Sequence, residues 1–262
     1  PAVEVGECRS DWEINLELAK RFNPEFKERF ATVIDLFNDR LKPSGRTYDQ
    51  VVAEGGWVMP EDNTPGKPYR RYEKGLLRPD GKPGFRTPTG KMEFYSKSYE
   101  EWGIDPLPYY AEPLESEVRT PELFAKYPII MVTGRRSPVY FHAEHRMIPW
   151  LRECDPYPIA EIHPSLAAKL GIDDGEWIRI ENDRGYIKRK AKVTPIVHPR
   201  VISVPHGWWL PEEDGREPNL FGIWDINCNV MIPAKSQTQS GFGGAPYKTT
   251  LVRVSRIEGG KR

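Results

Sequence analysis

Cysteine is scarce. Cys8, Cys154 and Cys228 are the only three in 262 residues. They are far apart, odd in number and without a C-x-x-C pair, so neither a structural zinc site, a cysteine-ligated cluster nor a disulfide framework is supported. They are expected to be buried or half-buried thiols. Net charge is missing too: 38 Lys and Arg balance 38 Asp and Glu. Nucleic acid is therefore not expected as a partner, because its binders carry a basic excess or a basic face. No apolar run approaches the ~20 residues that a membrane span needs. G-x-S-x-G and H-E-x-x-H do not occur, and the H-x-x-H pair His142 and His145 has no third ligand at useful spacing. Pro1 to Gly6 has neither an initiator Met nor a basic-then-apolar signal profile, as expected of a fragment or a processed product.

Proline and aromatic residues are what the chain has in quantity. Its 26 Pro imply turns and extended connections rather than a helical bundle, and 8 Trp, 12 Tyr and 10 Phe imply a folded core. Helical spacing is confined to the opening. Trp12, Leu16 and Ala19, widened by Leu18 and Phe22, form a stripe over residues 11–22, with Ser10 as N-cap. A second helical pattern covers 24–38, opened by Pro24 and faced by Phe26, Phe30, Val33, Ile34 and Phe37. Thr47 to Ala53 is a third, shorter candidate. Residues 1–54 thus read as a helical lobe belonging to a larger domain. Residues 55–125 read as an irregular Pro/Gly-rich connection, with one strand-like island at Lys91–Tyr95 and a boundary near 112–126.

From residue 126 to 262 the texture is one of short strands. Pro128–Thr133 is an apolar run that ends at Gly134, and Pro158–His163 is a second strand. Pro164 opens a short helix to Leu170, with Gly171 at its C′ position. Glu176–Glu181 and a return strand form a hairpin through Asn182–Gly185, where Gly185 can take positive φ. On the return strand Ile187, Ala191 and Val193 share a side with Arg189 as the exception. Arg184, Lys188, Arg189, Lys190 and Lys192 together read as a solvated charged face. Val201–Val204 and Tyr247–Ser255 bring the total to about six strands, which suggests a closed β-barrel. The fold class is α+β.

Taken in order, several motifs resemble the C-terminal region of molybdopterin oxidoreductases of the dimethyl-sulfoxide-reductase superfamily. Thr87-Pro88-Thr89-Gly90-Lys91-Met92-Glu93 is similar to the link that precedes their last domain. Thr133-Gly134-Arg135 and Phe141-His142 follow, then the Ala160–Gly185 block, Pro205-His206-Gly207-Trp208-Trp209, and Asn229 with Ser240-Gly241 and Lys248. The spacing after Thr133 leans toward the thiosulfate/polysulfide reductase, acetylene hydratase and pyrogallol transhydroxylase branches without choosing among them. The resemblance implies a double-psi-type six-stranded barrel that binds molybdopterin guanine dinucleotide carrying molybdenum or tungsten. It implies that the metal ligand and an iron–sulfur cluster lie in a part N-terminal to this chain. The implied partners are the remainder of the same catalytic subunit and an iron–sulfur electron-transfer subunit. Cys8 lies in none of the family's metal-loop context and is not expected to bind metal.

The candidate cofactor-binding residues follow from chemistry and from that resemblance. A strand end at Thr133, Gly134 and Arg135 offers backbone donors, close approach and a planar guanidinium fork, although an ordinary turn with a surface Arg has the same residues. Ser137, Tyr140 and His142 add hydroxyl and imidazole donors on the same loop; His142 is singled out by its family position alone. His206 and Gly207 pair an imidazole with a residue that permits close approach, while Trp208 and Trp209 are expected in the core. Asn229 and Lys248 match the family ending, and Gln237 and Gln239 are suspects only. His145 and Arg146 read as scaffold or rim. No catalytic residue and no metal ligand is expected. A free-standing pterin carrier and an unrelated barrel acting in protein–protein contact remain as alternatives.

Overall fold

Each N-terminal helix begins on a side chain that satisfies its first free N–H groups. Ser10 caps α1 (Asp11–Phe22), Asn23 caps α2 (Pro24–Arg29), Thr32 caps α3 (Val33–Leu41) and Thr47 caps α4 (Tyr48–Ala53). The single helical pattern expected over 24–38 is in fact two helices. Thr32 and Asp35 form a capping box inside it, with Asp35 N–H bonded to Thr32 Oγ1 at 3.2 Å and Thr32 N–H to the Asp35 carboxylate at 2.8 Å. A box of this kind restarts a helix and therefore interrupts the one before it. Trp12 packs edge-on to Phe37 at 5.1 Å, and Phe37 stacks on Tyr48 at 5.6 Å.

The computed structural model describes residues 6–56, 69–107, 109–134, 137–234 and 244–257. They fall into two units that divide between Glu93 and Phe94. Arg135, Gln237, Gln239, Ser240 and Gly241 lie outside the described residues. The strand expected at Lys91–Tyr95 is absent, because this stretch is spent on a local turn. Thr89 donates from N and Oγ1 to Glu93 Oε1 at 2.9 and 2.8 Å, and Thr87 Oγ1 donates to the Lys91 carbonyl at 2.6 Å. Gly90 closes it at φ 72°, where a Cβ would fall 1.8 Å from an Arg78 guanidinium nitrogen.

In the second unit, α5 (Lys97–Glu101) and α6 (Pro121–Lys126) precede β1 (Ile129–Val132). Then come α7 (Pro149–Cys154), β2 (Ile159–Ile162), α8 (Pro164–Leu170), β3 (Trp177–Asn182), β4 (Gly185–Val193), β5 (Val201–Ser203), α9 (Ile223–Ile226) and β6 (Thr250–Arg256). The six strands close into a barrel in the order β1-β5-β2-β4-β3-β6, the closed six-stranded barrel that the sequence suggested. Two pairs, β1–β5 and β2–β4, are parallel; the other four contacts are antiparallel. Period-two burial fills the interior with Met131, Ile162, Ile178, Ile180, Ile187, Ile202 and Val252, all fully buried. His163 caps α8 by accepting from Ser165 N–H at 3.2 Å, and Gly171 ends it at φ 64°.

Several expectations are corrected here. Arg189 is 0% exposed, facing inward with Ile187 and Ala191, so it does not belong to a solvated face. Register decides this, because a residue two places from two inward neighbours must point the same way. Arg184 is half-buried and tied down: Nε donates to the Met231 carbonyl at 2.7 Å and Nη2 reaches Glu115 at 2.6 Å. Glu115, 8% exposed, also accepts from Leu251 N–H at 2.8 Å, which fastens the segment before α6 to β6. Gly185 does not adopt positive φ. Cys8 and Cys154 are exposed, and only Cys228 is buried.

Candidate functional site

The strand pairings bring the candidate loops to one end of the barrel. β1 and β5 run parallel, so the segments that follow Val132 and Ser203 leave side by side. β6 is antiparallel to β1, which puts the residues before Thr250 beside them. The β3–β4 hairpin, Asn182–Gly185, sits at the same end, since β2 is antiparallel to β5 and β4 is parallel to β2. Binding residues carried on loops at one end of a rigid barrel are a common arrangement.

Thr133, 6% exposed, continues β1 by donating its N–H to the Tyr247 carbonyl at 2.9 Å. Gly134 then turns at φ 63°, and a Cβ there would meet Ser203 Oγ at 2.7 Å, so the β1 and β5 exits touch at this residue. Lys248 reaches across with Nζ donating to the Gly134 carbonyl at 3.3 Å. Ser137 accepts from Val139 N–H at 3.3 Å and borders a cleft of about 250 Å³ with Asp155, Glu161, Lys192 and Pro205.

One contact joins two residues 64 positions apart. His142 Nδ1 and His206 Nε2 lie 2.9 Å apart, a hydrogen bond whose direction depends on the tautomer of each ring. One proton must lie between the two nitrogens. His142 holds φ 52° and His145 holds φ 73°, left-handed conformations that side-chain-bearing residues seldom adopt. Gly207, at φ 72°, passes so close to this loop that a Cβ would lie 2.9 Å from the His142 carbonyl oxygen. Trp209 adds a hydrogen bond from Nε1 to the Ala143 carbonyl.

Beneath this contact lies a buried layer. Tyr140 is 3% exposed; its hydroxyl donates to the Asp155 carbonyl at 2.7 Å and its ring stands edge-on to Trp208 at 5.8 Å. Burial is the main cause that pushes its phenol above the ordinary range. Tyr140 therefore faces the scaffold. Trp208 is core, as expected, whereas Trp209 is half-buried against Phe221 at 5.2 Å. Arg146, 1% exposed, packs against both Tyr140 and Trp208, and burial lowers its guanidinium to about 10, so it is cationic at neutral pH. The scaffold assignment fits its burial; what the sequence missed is that its partners are the His142 and His206 loops, some sixty residues apart.

Asn229 stands apart. It is exposed on the 3-10 turn Cys228–Met231, whose Met231 carbonyl receives Asn182 Nδ2 at 3.0 Å beside the hairpin. It shares the barrel end with the other candidates and is not joined to them among the described residues. No group of three or more potential metal ligands occurs among the described residues.

A pterin dinucleotide is rich in acceptor atoms and carries phosphates. What this end of the barrel offers is polar ring nitrogens and a cation, the His142–His206 pair and the Lys248 ammonium. The donor set fits such a group.

Residues 129–251 match the protein family described as "Molydopterin dinucleotide binding domain". The chain is 33% identical over 230 residues to acetylene hydratase of Syntrophotalea acetylenica, covering 87% of this chain and 30% of that protein. It is 29% identical over 274 residues to dimethyl sulfoxide/trimethylamine N-oxide reductase of Rhodobacter capsulatus, covering 97% of this chain and 32% of that protein. The solved structure of acetylene hydratase from Pelobacter acetylenicus superposes with a TM-score of 0.78 at 28% identity, over 97% of this chain and 33% of that one. The chain thus spans about a third of the length of these relatives. Residues 129–251 are therefore a molybdopterin dinucleotide-binding domain, and the chain that carries them belongs with the molybdopterin oxidoreductases of the dimethyl-sulfoxide-reductase superfamily.

Proposed function

We propose that this chain is the C-terminal cofactor-binding portion of a molybdenum or tungsten oxidoreductase, where it holds molybdopterin guanine dinucleotide and closes the active-site cavity. The observation that carries the reading is the joining of the β1, β5 and β6 loops at one barrel end, through the His142–His206 and Lys248–Gly134 contacts. When bound, the cofactor supplies the two-electron or oxygen-atom chemistry. The chain's own residues bind and orient it. His142 and His206 would set their paired imidazoles against the polar edge of a pterin. Lys248 sets a positive charge against a phosphate, and Thr133, Gly134 and Gly207 let backbone approach closely. Arg135, Ser137 and Asn229 are the further contacts, while Tyr140 supports the loop from beneath.

In this reading the metal ligand and any iron–sulfur cluster are supplied by the remainder of the same catalytic subunit, and the chain alone is inactive. An iron–sulfur subunit is the electron-transfer partner. No helix among the described residues is long and apolar enough to cross a membrane.

The test is cofactor retention. In the full-length protein that contains this chain, His206→Ala and Lys248→Ala are expected to lower pterin and metal retained after gel filtration by about tenfold each, the scale of one lost buried or charge-assisted hydrogen bond. Unchanged retention in both would overturn the site. Tight binding of the dinucleotide by the isolated chain would instead favour the free-standing carrier.

A further inference from the structure

The two histidines reach each other from segments that no strand pairing joins at that point. β1 and β5 stop pairing at Val132 and Ser203, with a last bond from Val204 N–H to the Val132 carbonyl at 2.8 Å. Beyond it, among the described residues, no backbone–backbone hydrogen bond links 137–146 to 205–209. Ring positions good to a few tenths of an ångström must therefore be imposed by side chains.

Arg146 is placed to impose them. Its Nε donates to the Gly207 carbonyl at 2.8 Å, and its Nη2 donates to the carbonyls of His142 at 3.0 Å and His206 at 3.3 Å. All of these acceptors belong to the two histidines or to the glycine packed between their loops. The guanidinium sits in the corner formed by two perpendicular rings, 4.4 Å from the Tyr140 centroid and 4.2 Å from that of Trp208, which restrains its fork. A cation is an expensive choice for this position if filling space is its only task, since burial alone lowers its affinity for the proton. An apolar side chain could fill the corner of the two rings but would bond neither loop. The guanidinium fork bonds both at once, and Trp209 Nε1 on the Ala143 carbonyl adds a second tie.

We propose that Arg146 is the positioning residue of this site: it clamps the His142 and His206 loops so that their imidazoles meet and each keeps one fixed tautomer. The functional importance of the clamp rests on the cofactor-binding reading above, but its geometry does not. Arg146 itself touches no cofactor. It acts through the two rings it sets.

The full chain has five histidines, so selective labelling of their ring nitrogens gives a readable magnetic-resonance spectrum. In the unaltered chain, His142 and His206 are expected to show fixed-tautomer ring signals and a coupling across their shared hydrogen bond. Arg146→Ala should abolish that coupling and move both rings to the averaged values of free imidazole, leaving His163 and His198 unchanged. Arg146→Lys keeps the charge against the rings and loses the fork. It should show the same loss, and it decides the matter if the alanine variant does not fold. Retention of the coupling in either folded variant would overturn the proposal, and so would its absence from the unaltered chain. A residue that only packed would lower the melting temperature without altering the ring signals. Because the measurement needs no cofactor, failure of the clamp and failure of the cofactor site are read separately.

Discussion

The barrel and the N-terminal helices use apolar side chains in opposite ways. In the barrel, period-two alternation is satisfied within the unit: Met131, Ile162, Ile178, Ile180, Ile187 and Ile202 are each 0% exposed. In α1 to α4 the capping is complete, yet among their apolar residues Leu16 is the one that is buried. Trp12, Leu18 and Phe22 on the α1 stripe are 47%, 46% and 85% exposed. Helix boundaries are set by neighbours a few residues away, so good caps form whether or not the stripe is covered. A barrel has no such local solution, because each strand finds its partner and its burial only when the sheet closes.

That contrast can be broken in four places. Ile180→Ala should destabilise the barrel most, by about 2–5 kcal/mol, because a fully buried side chain leaves a cavity that closed sheets cannot collapse around. Denaturant unfolding measures it; a loss below 1 kcal/mol would mean that the barrel interior adapts as freely as the helices.

Arg189→Met tests the polar exception in that core. The guanidinium is fully buried, and its Nε, Nη1 and Nη2 have no acceptor among the described residues; burial lowers it to about 10. Replacement by an apolar side chain of similar length should raise the melting temperature, with a gain of about 1–4 kcal/mol. A loss of stability of similar size would show that the charge has a counterpart that this chain does not display.

Glu181→Gln probes the outside of the same barrel. Hydrogen bonds from Arg253, then Arg179, hold the Glu181 carboxyl below its ordinary range. A depressed carboxyl contributes stability that is complete above its unfolded value of about 4.3 and is lost as pH falls through the lower folded value. The variant should be less stable at neutral pH by about 1 kcal/mol, and the two proteins should converge in acid. Parallel stability curves from neutral pH into acid would refute the assignment.

The smallest effect is expected from Ser10→Ala, which removes the α1 capping box at a cost of about 1 kcal/mol to that helix. Circular dichroism should register fraying while barrel unfolding stays put. A shift in both would make the two units one cooperative body.

Legibility followed the range of the interaction. Caps at Ser10, the turn around Gly171 and the hairpin at Asn182 involve residues close in sequence, and all three could be read. The Thr32–Asp35 box was equally local, but the apolar periodicity on both sides of it masked the break. Arg189 shows two local signals in conflict. Its neighbours Lys188 and Lys190 suggested solvent, while its spacing from Ile187 and Ala191 required the interior, and spacing prevailed. His142 and His206 could be picked out only by resemblance, because their meeting spans 64 positions. Arg146 carried no signal, since its acceptors are backbone carbonyls that any residues could have supplied.

The closed strand order also sets a sequence of events in time. β1 is paired with β5 and β6, so residues near 130 must wait for residues near 201 and 251 before they have both neighbours. Contacts this distant in the chain form slowly, and partial closure leaves the β1, β5 and β6 exits apart. The barrel end that joins Gly134, His142, His206 and Lys248 is consequently complete only when β6 has closed the sheet. Uptake of a ligand there would report closure of the barrel, and a nascent chain released before Thr250 would hold the site's residues without the β6 strand that sets Lys248 beside Gly134.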